Sequence, residues 1–169
     1  VGELSNNKRL WIFHDPAQHF WAEWRLPKWL SGFFHLQLPE NHRCAPGIMA
    51  LANSYRDEAL TTDALAVIRK AIAEKTIEFV VSPSESSIPD RIANEIGKLR
   101  SEGFGPSEIA IVSLRGQQGA RTFGMQRIDA YRIVKADDPS AANEIVDDTF
   151  LRFKGLERPA IIVADLNLV

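Results

Sequence analysis

The sequence predicts an α/β fold built on a mostly parallel sheet. Apolar strand-like runs alternate along the chain with segments whose apolar residues recur at helical spacing. The run Ile109–Leu114 is almost continuously apolar, the composition that a parallel sheet buries on both faces. The 169 residues, 45% hydrophobic and 25% charged, suit one domain, or one domain with a fragment of another.

Taken in order, Arg9–Phe13 reads as a short buried strand. Ala17–Leu30 is rich in aromatics, and Pro27 interrupts any helix there. Phe33–Leu38 reads as a second strand. A helix is expected over Ala45–Asp57, with Pro46 tolerated in its first turn and Ile48, Leu51, Ala52 and Tyr55 on one face. Another is expected over Thr61–Ala73, capped by Thr61 or Thr62, with Leu65, Ile68 and Ile72 as its apolar stripe. Ile77–Val81 reads as a strand. Pro89–Glu102 reads as a helix with Ile92, Ile96 and Leu99 inward, stopped by Gly103-Phe104-Gly105-Pro106. The central strand Ile109–Leu114 follows. Arg115–Lys135 has no clean period; it carries Arg115, Arg121, Arg127, Arg132 and Lys135 against the single acid Asp129. Asp137–Asp148 reverses the sign. Ile145–Leu151 and Ala160–Leu166 read as the last strands, joined by a tight connection around Lys154–Glu157.

Composition excludes several classes. The 20 basic and 22 acidic residues leave a net charge of −2, so there is no global nucleic-acid footprint. No stretch approaches the roughly 20 apolar residues of a membrane span. Val1-Gly2-Glu3 lacks the basic start and apolar core of a signal peptide. The lone Cys44 permits no intramolecular disulfide and no multi-cysteine zinc site, which points to a reducing compartment. His14, His19, His35 and His42 have no metal-ligand spacing, so no metal is expected.

Three short constellations are expected at the carboxyl ends of strands, where α/β sheets place their ligand groups. The first is Phe13-His14-Asp15-Pro16-Ala17-Gln18-His19-Phe20-Trp21, the second Leu38-Pro39-Glu40-Asn41-His42-Arg43, and the third Thr149-Phe150-Leu151-Arg152-Phe153-Lys154-Gly155-Leu156-Glu157. Each carries something a nucleotide site uses. Gln18 is a neutral group able to sense a phosphoryl oxygen or a water. Arg43 offers a planar fork for phosphate. Lys154-Gly155 offers a cation and a backbone that a ligand can approach closely, and Glu157 an acceptor for a ribose hydroxyl.

In this order the three runs resemble motifs III, IV and V of superfamily 1 DNA helicases of the UvrD/Rep type, strongest at Asp15, Gln18, Asn41, Arg43, Thr149, Lys154, Gly155, Leu156 and Glu157. The resemblance spans about Leu10 to Leu166. It implies a three-layer RecA-like (P-loop NTPase-type) domain with helices on both faces of the sheet. Residues 1–30 would be the tail of a first RecA-like domain, and residues 31–169 the second, ending before the last arginine motif. It further implies that Gln18 senses the γ-phosphate and that Arg43 is the arginine finger. His42 would stand on the adenine where the family often has tyrosine, and Lys154, Gly155 and Glu157 would contact the nucleotide. Trp21 and Trp24, with Thr149, would face single-stranded DNA.

The sequence departs from the family pattern at His14 (usually Gly), Leu151 (usually His), Arg152 and His42. It holds no G-x-x-x-x-G-K-[ST] loop and no Walker-B Asp-Glu pair. The main ligands for ATP and Mg²⁺ would therefore belong to the missing N-terminal RecA-like domain, with single-stranded or partly duplex DNA as the other partner. The chain alone is expected to be inactive and to lack tightly bound nucleotide. A bacterial cytosolic or nucleoid location and no membrane association are implied.

Simpler readings stand beside these. Trp11 reads as core, and Trp21 and Trp24 as either core or stacking platforms. Cys44 reads as a small buried residue. Arg43 and Glu40 alone would be a surface ion pair. The basic stretch from Arg115 reads as a solvated face balanced by the acids after it, or as a DNA-backbone contact. The competing functional class is a non-catalytic RecA-like nucleic-acid or protein interaction module.

Overall fold

The computed structural model describes Ile12 and residues 27–34, 36, 43–56, 61–122 and 124–166. The chain forms two compact units, Val1–Glu78 and Phe79–Val169.

The first unit is organised by a helical hairpin, α1 (Pro46–Arg56) against α2 (Thr62–Ala73). Both span the expected residues to within one position, but the expected apolar faces are not buried: Ile48, Ala52 and Tyr55 of α1 and Ile72 of α2 are exposed, and of the residues named only Ile68 is buried. Thr61 caps α2, its hydroxyl accepting from the Ala64 N–H at 3.2 Å, and Asp63 lies in the positive first turn. Ile68 and Ala71 are the buried side of α2. The helices approach closely because residue 47 is glycine; a Cβ there would lie 2.2 Å from the Ala71 Cβ. Upstream, a 3-10 turn over Lys28–Gly32 buries Leu30. The expected strand at Phe33–Leu38 is not formed at its described residues: Phe33, Phe34 and Leu36 have no strand partner, and Phe34 is 89% exposed. Of Arg9–Phe13 only Ile12 is described, outside any strand.

The second unit contains α3 (Ile88–Ser101), β1 (Ile109–Ser113), β2 (Arg127–Ile128), β3 (Tyr131–Val134), β4 (Ile145–Thr149), α4 (Phe150–Phe153) and β5 (Ala160–Ala164). The sheet order is β2-β3-β4-β1-β5. All pairings are parallel except the β2–β3 hairpin, so the expected mostly parallel α/β sheet is present. β1 lies at the centre, with Ala110 opposite Val146 on one side and Ile161 on the other. All five of its residues are buried, as the apolar run predicts.

Alternation along the strands makes two apolar layers. On one face Ile109, Ile111, Ile133 and Ile145 pack with Ile92 and Ile96 of α3. On the other, Ala110, Val112, Val134 and Val146 pack with Phe153 of α4. Gly103 ends the α3 region with φ +102°, a conformation glycine adopts without strain.

Three further elements differ from expectation. Ile77–Val81 does not form a strand. β4 stops at Thr149 rather than Leu151, because the Asp148 side chain accepts the Thr149 N–H at 2.8 Å and the chain turns into α4. β5 likewise ends at Ala164, where Asp165 takes φ +60°. The stretch without clear period resolves into a 3-10 turn and the β2–β3 hairpin, turned at Asp129 and Ala130 with Asp129 at φ +52°.

Candidate functional site

Parallel strands bring three polar residues to one end of the sheet: Ser113 closes β1, Thr149 closes β4, and Asp165 follows β5. The Ser113 hydroxyl donates to Asp165 Oδ2 at 2.6 Å and accepts the Arg115 N–H at 3.1 Å. The Arg121 N–H reaches the same carboxylate oxygen at 3.4 Å. Glu85, just before α3, pairs with both Arg115 and Arg121. Asp165 Oδ1 and Arg121 Nε are buried without a hydrogen-bond partner among the described residues, so this corner has polar capacity to spare.

Beside it, β4 carries two buried acids on opposite faces. Asp147 is 2% exposed; it accepts from Thr122 Oγ1 at 3.0 Å and from Lys135 Nζ at 3.2 Å. Burial pushes its carboxyl above the ordinary value of 3.8, opposed by the Lys135 charge and the Thr122 bond. Asp147, Lys135, Arg132 and Asp138 line a cleft of about 420 Å³. On the other face Asp148 accepts from the Ala136 N–H at 3.0 Å and from Arg152 Nε at 3.1 Å. Arg152 also reaches Asp137, and its hydrogen bond and charge hold that carboxyl below the usual range. Asp138 is lowered by the Ser140 hydroxyl and N–H.

The expected site residues fall in different places. Gln18, Trp21, Trp24 and His42 lie outside the described residues, as do Asp15 and Asn41. Arg43 is exposed in the first unit, three residues before α1. Thr149, Lys154, Gly155 and Glu157 belong to the second unit, in the crossover from β4 to β5. Thr149 stands at the carboxyl end of β4 as expected. Gly155 has φ +86°, which explains the glycine. Glu157 stands elsewhere. It lines a cavity of about 260 Å³ with Ala136, Ala141 and Phe153. Its neighbour Arg158 donates to the carbonyls of Ser107, ahead of β1, and Ala141, ahead of β4. The third constellation thus runs from the carboxyl end of the sheet to the amino end rather than staying at the carboxyl end.

The basic stretch is largely tied down. Arg115 and Arg121 share Glu85, Arg132 pairs with Glu144, Lys135 with Asp147, and Arg127 donates to the Ala130 carbonyl. The sequence reading missed the Ser113–Asp165 pair and the burial of Asp147 and Asp148. The signal for the latter was present: two adjacent acids directly after the apolar Ile145-Val146 cannot both face water on a strand buried on both sides. Among the described residues no group of three or more His, Cys, Asp and Glu is placed to hold a metal ion. No described helix is long and apolar enough to cross a membrane. No protein-family model, curated protein or solved structure matches the chain.

The raised Asp147 carboxyl gives a signed expectation. The native state holds this proton more tightly than the unfolded chain. Its stabilising contribution is therefore full below the ordinary value of 3.8 and is lost as pH rises through the raised folded value. Asp137 and Asp138 act in the opposite sense but are shared with an Asp147→Asn variant, so they cancel in the difference. Thermal melts of both proteins between about pH 3 and pH 7 should show wild type losing ground to Asp147→Asn as pH rises. A difference that stays flat over that range contradicts the assignment.

Proposed function

We propose that the chain is the second RecA-like part of an ATP-dependent superfamily 1 DNA helicase or translocase. One observation carries the reading: Thr149–Glu157, which resembles motif V at Thr149, Lys154, Gly155, Leu156 and Glu157, runs from the last residue of β4 through most of the connection to β5, with its glycine in a left-handed turn. An α/β sheet with α3 on one face and α4 on the other is compatible with a three-layer RecA-like domain.

In this reading ATP and Mg²⁺ bind mainly to a phosphate-loop domain outside this sequence. Gln18 and Arg43 complete that site from this side, as sensor and finger, and Lys154 and Gly155 contact the nucleotide, while Glu157, which the resemblance also gives to the nucleotide, lines a cavity with Ala136, Ala141 and Phe153. His42 stacks on the base, and Trp21, Trp24 and Thr149 face single-stranded DNA. Nucleotide-driven closure and reopening between the two domains becomes movement along the strand. The acid partners of Arg115, Arg121, Arg132 and Lys135 favour this over a module that binds nucleic acid through that basic stretch.

The test uses the purified chain and the same chain in its parent polypeptide with the phosphate-loop domain. The chain alone is expected to release no phosphate from ATP above buffer. The longer protein is expected to hydrolyse ATP faster when single-stranded DNA is added. Turnover by the chain alone, or a longer protein indifferent to DNA, overturns the proposal.

A further inference from the structure

Thr149 caps the start of α4, yet its hydroxyl does not do what a capping threonine's hydroxyl usually does. In that place it ordinarily accepts an N–H from the first turn of the helix. Here it accepts none. Thr149 is 9% exposed, and its hydroxyl has no hydrogen-bond partner among the described residues. The open hydroxyl stands at the carboxyl end of an inner parallel strand, where α/β sheets put their ligand groups.

The residue before it explains how the hydroxyl stays open. Asp148 is 1% exposed and takes bonds from three segments. Its Oδ1 accepts the Thr149 N–H at 2.8 Å. Its Oδ2 accepts the Ala136 N–H, just past β3, at 3.0 Å, and Arg152 Nε at 3.1 Å. Thr149 is thus tied to the fold by its backbone and not by its hydroxyl. Arg152 lies four residues on, one turn along α4, the spacing that brings an acid and a base together on a helix. Its guanidinium continues outward to the exposed Asp137. A buried carboxylate needs such a partner, because an unpaired charge in that place is costly. Arg152 is also a position where the sequence departs from the helicase pattern, and Asp148 is the acid it serves.

We infer that Asp148, Arg152 and Asp137 are positioning residues that present the Thr149 hydroxyl to a phosphate oxygen of single-stranded DNA. This role rests on the proposed function, in which Thr149 faces the strand. The hydroxyl is neutral, so the contact is a hydrogen bond and not an ion pair, and Arg152 acts on the DNA only through Thr149.

The test measures binding of a labelled oligothymidylate, by fluorescence anisotropy, to the longer protein that carries this chain with its phosphate-loop domain. Thr149→Val is expected to weaken binding about 10-fold, the loss of one hydrogen bond to a charged group. Arg152→Met is expected to do about the same. The double variant should bind within about twofold of Thr149→Val, because residues that act through one contact do not add. The slope of log K against log salt should stay as in wild type, since no contact between a cation and a phosphate is lost. Circular dichroism checks that each variant folds. Where Arg152→Met does not fold, Asp137→Ala, at the exposed end of the network, takes its place in the cycle and is read in the same way. Losses that multiply to about 100-fold overturn the inference. So does a salt slope smaller by about 0.7, which would make Arg152 itself a phosphate contact. Unchanged binding in Arg152→Met overturns it too. A longer protein that binds no oligonucleotide overturns the proposed function, and the inference with it.

Discussion

In the helicase proposed above, replacing Arg43 with alanine is expected to lower kcat for ATP hydrolysis by about 1000-fold or more, the range measured when arginine fingers are removed. The reason is electrostatic. Charge accumulates on the transferring phosphoryl oxygens, and a guanidinium held against them acts mainly in the transition state. The loss should therefore fall on kcat with little change in KM for ATP. Arg43→Lys should recover little, because a point charge does not reproduce the planar fork. Arg43 is exposed and precedes α1, and circular dichroism of the variant checks that the fold is kept. A variant that keeps its kcat removes the arginine from the reaction and with it the central role given to this chain.

The largest expected loss of stability comes from Ile96. It is 0% exposed and lies midway along α3, packed into the layer formed by Ile109, Ile111 and Ile145. Ile96→Ala removes buried methyl and methylene groups from a close-packed site and leaves a cavity. The expected cost is about 2–5 kcal/mol. Typical domains hold only about 5–15 kcal/mol in total. Urea unfolding followed by circular dichroism measures it. Asn94→Ala, exposed on the same helix, is the control and should change stability by no more than about 0.5 kcal/mol. Equal effects at the two positions would mean that α3 does not bury its Ile96 side against the sheet.

The residues that made the fold readable acted through local rules. α1, α2 and α3 were visible as apolar stripes with caps and stops, and their ends lie within a residue or two of expectation. β1 was visible because burial on both faces demands a continuous apolar run. The hairpin β2–β3 was not, because Arg127-Ile128 is too short to show a period and its turn uses Asp129-Ala130 rather than an Asn-Gly pair. Ile77–Val81 has a strand's composition, yet strand propensity reports only a suitable surface, and pairing depends on distant partners. The site was legible as residue types in order. Its geometry was not, since Glu157 is carried to the amino end of the sheet by the length of the crossover and by the hold of Arg158 on two carbonyls. Asp147 and Asp148 counted as surface charge in the composition, and only the pairing of β4 with β1 and β3 buries them.

The central position of β1 has a consequence for synthesis. It is the first strand of the sheet to leave the ribosome, and both of its neighbours come later in the chain: Ala110 must await Val146, and Ile109 must await Ala160. At about 5–20 residues per second, the most apolar strand of the unit spends roughly several seconds with both edges bare. The interval between the translation of Ser113 and that of Ala164 is therefore the one in which β1 of the newborn chain is open to non-native pairing.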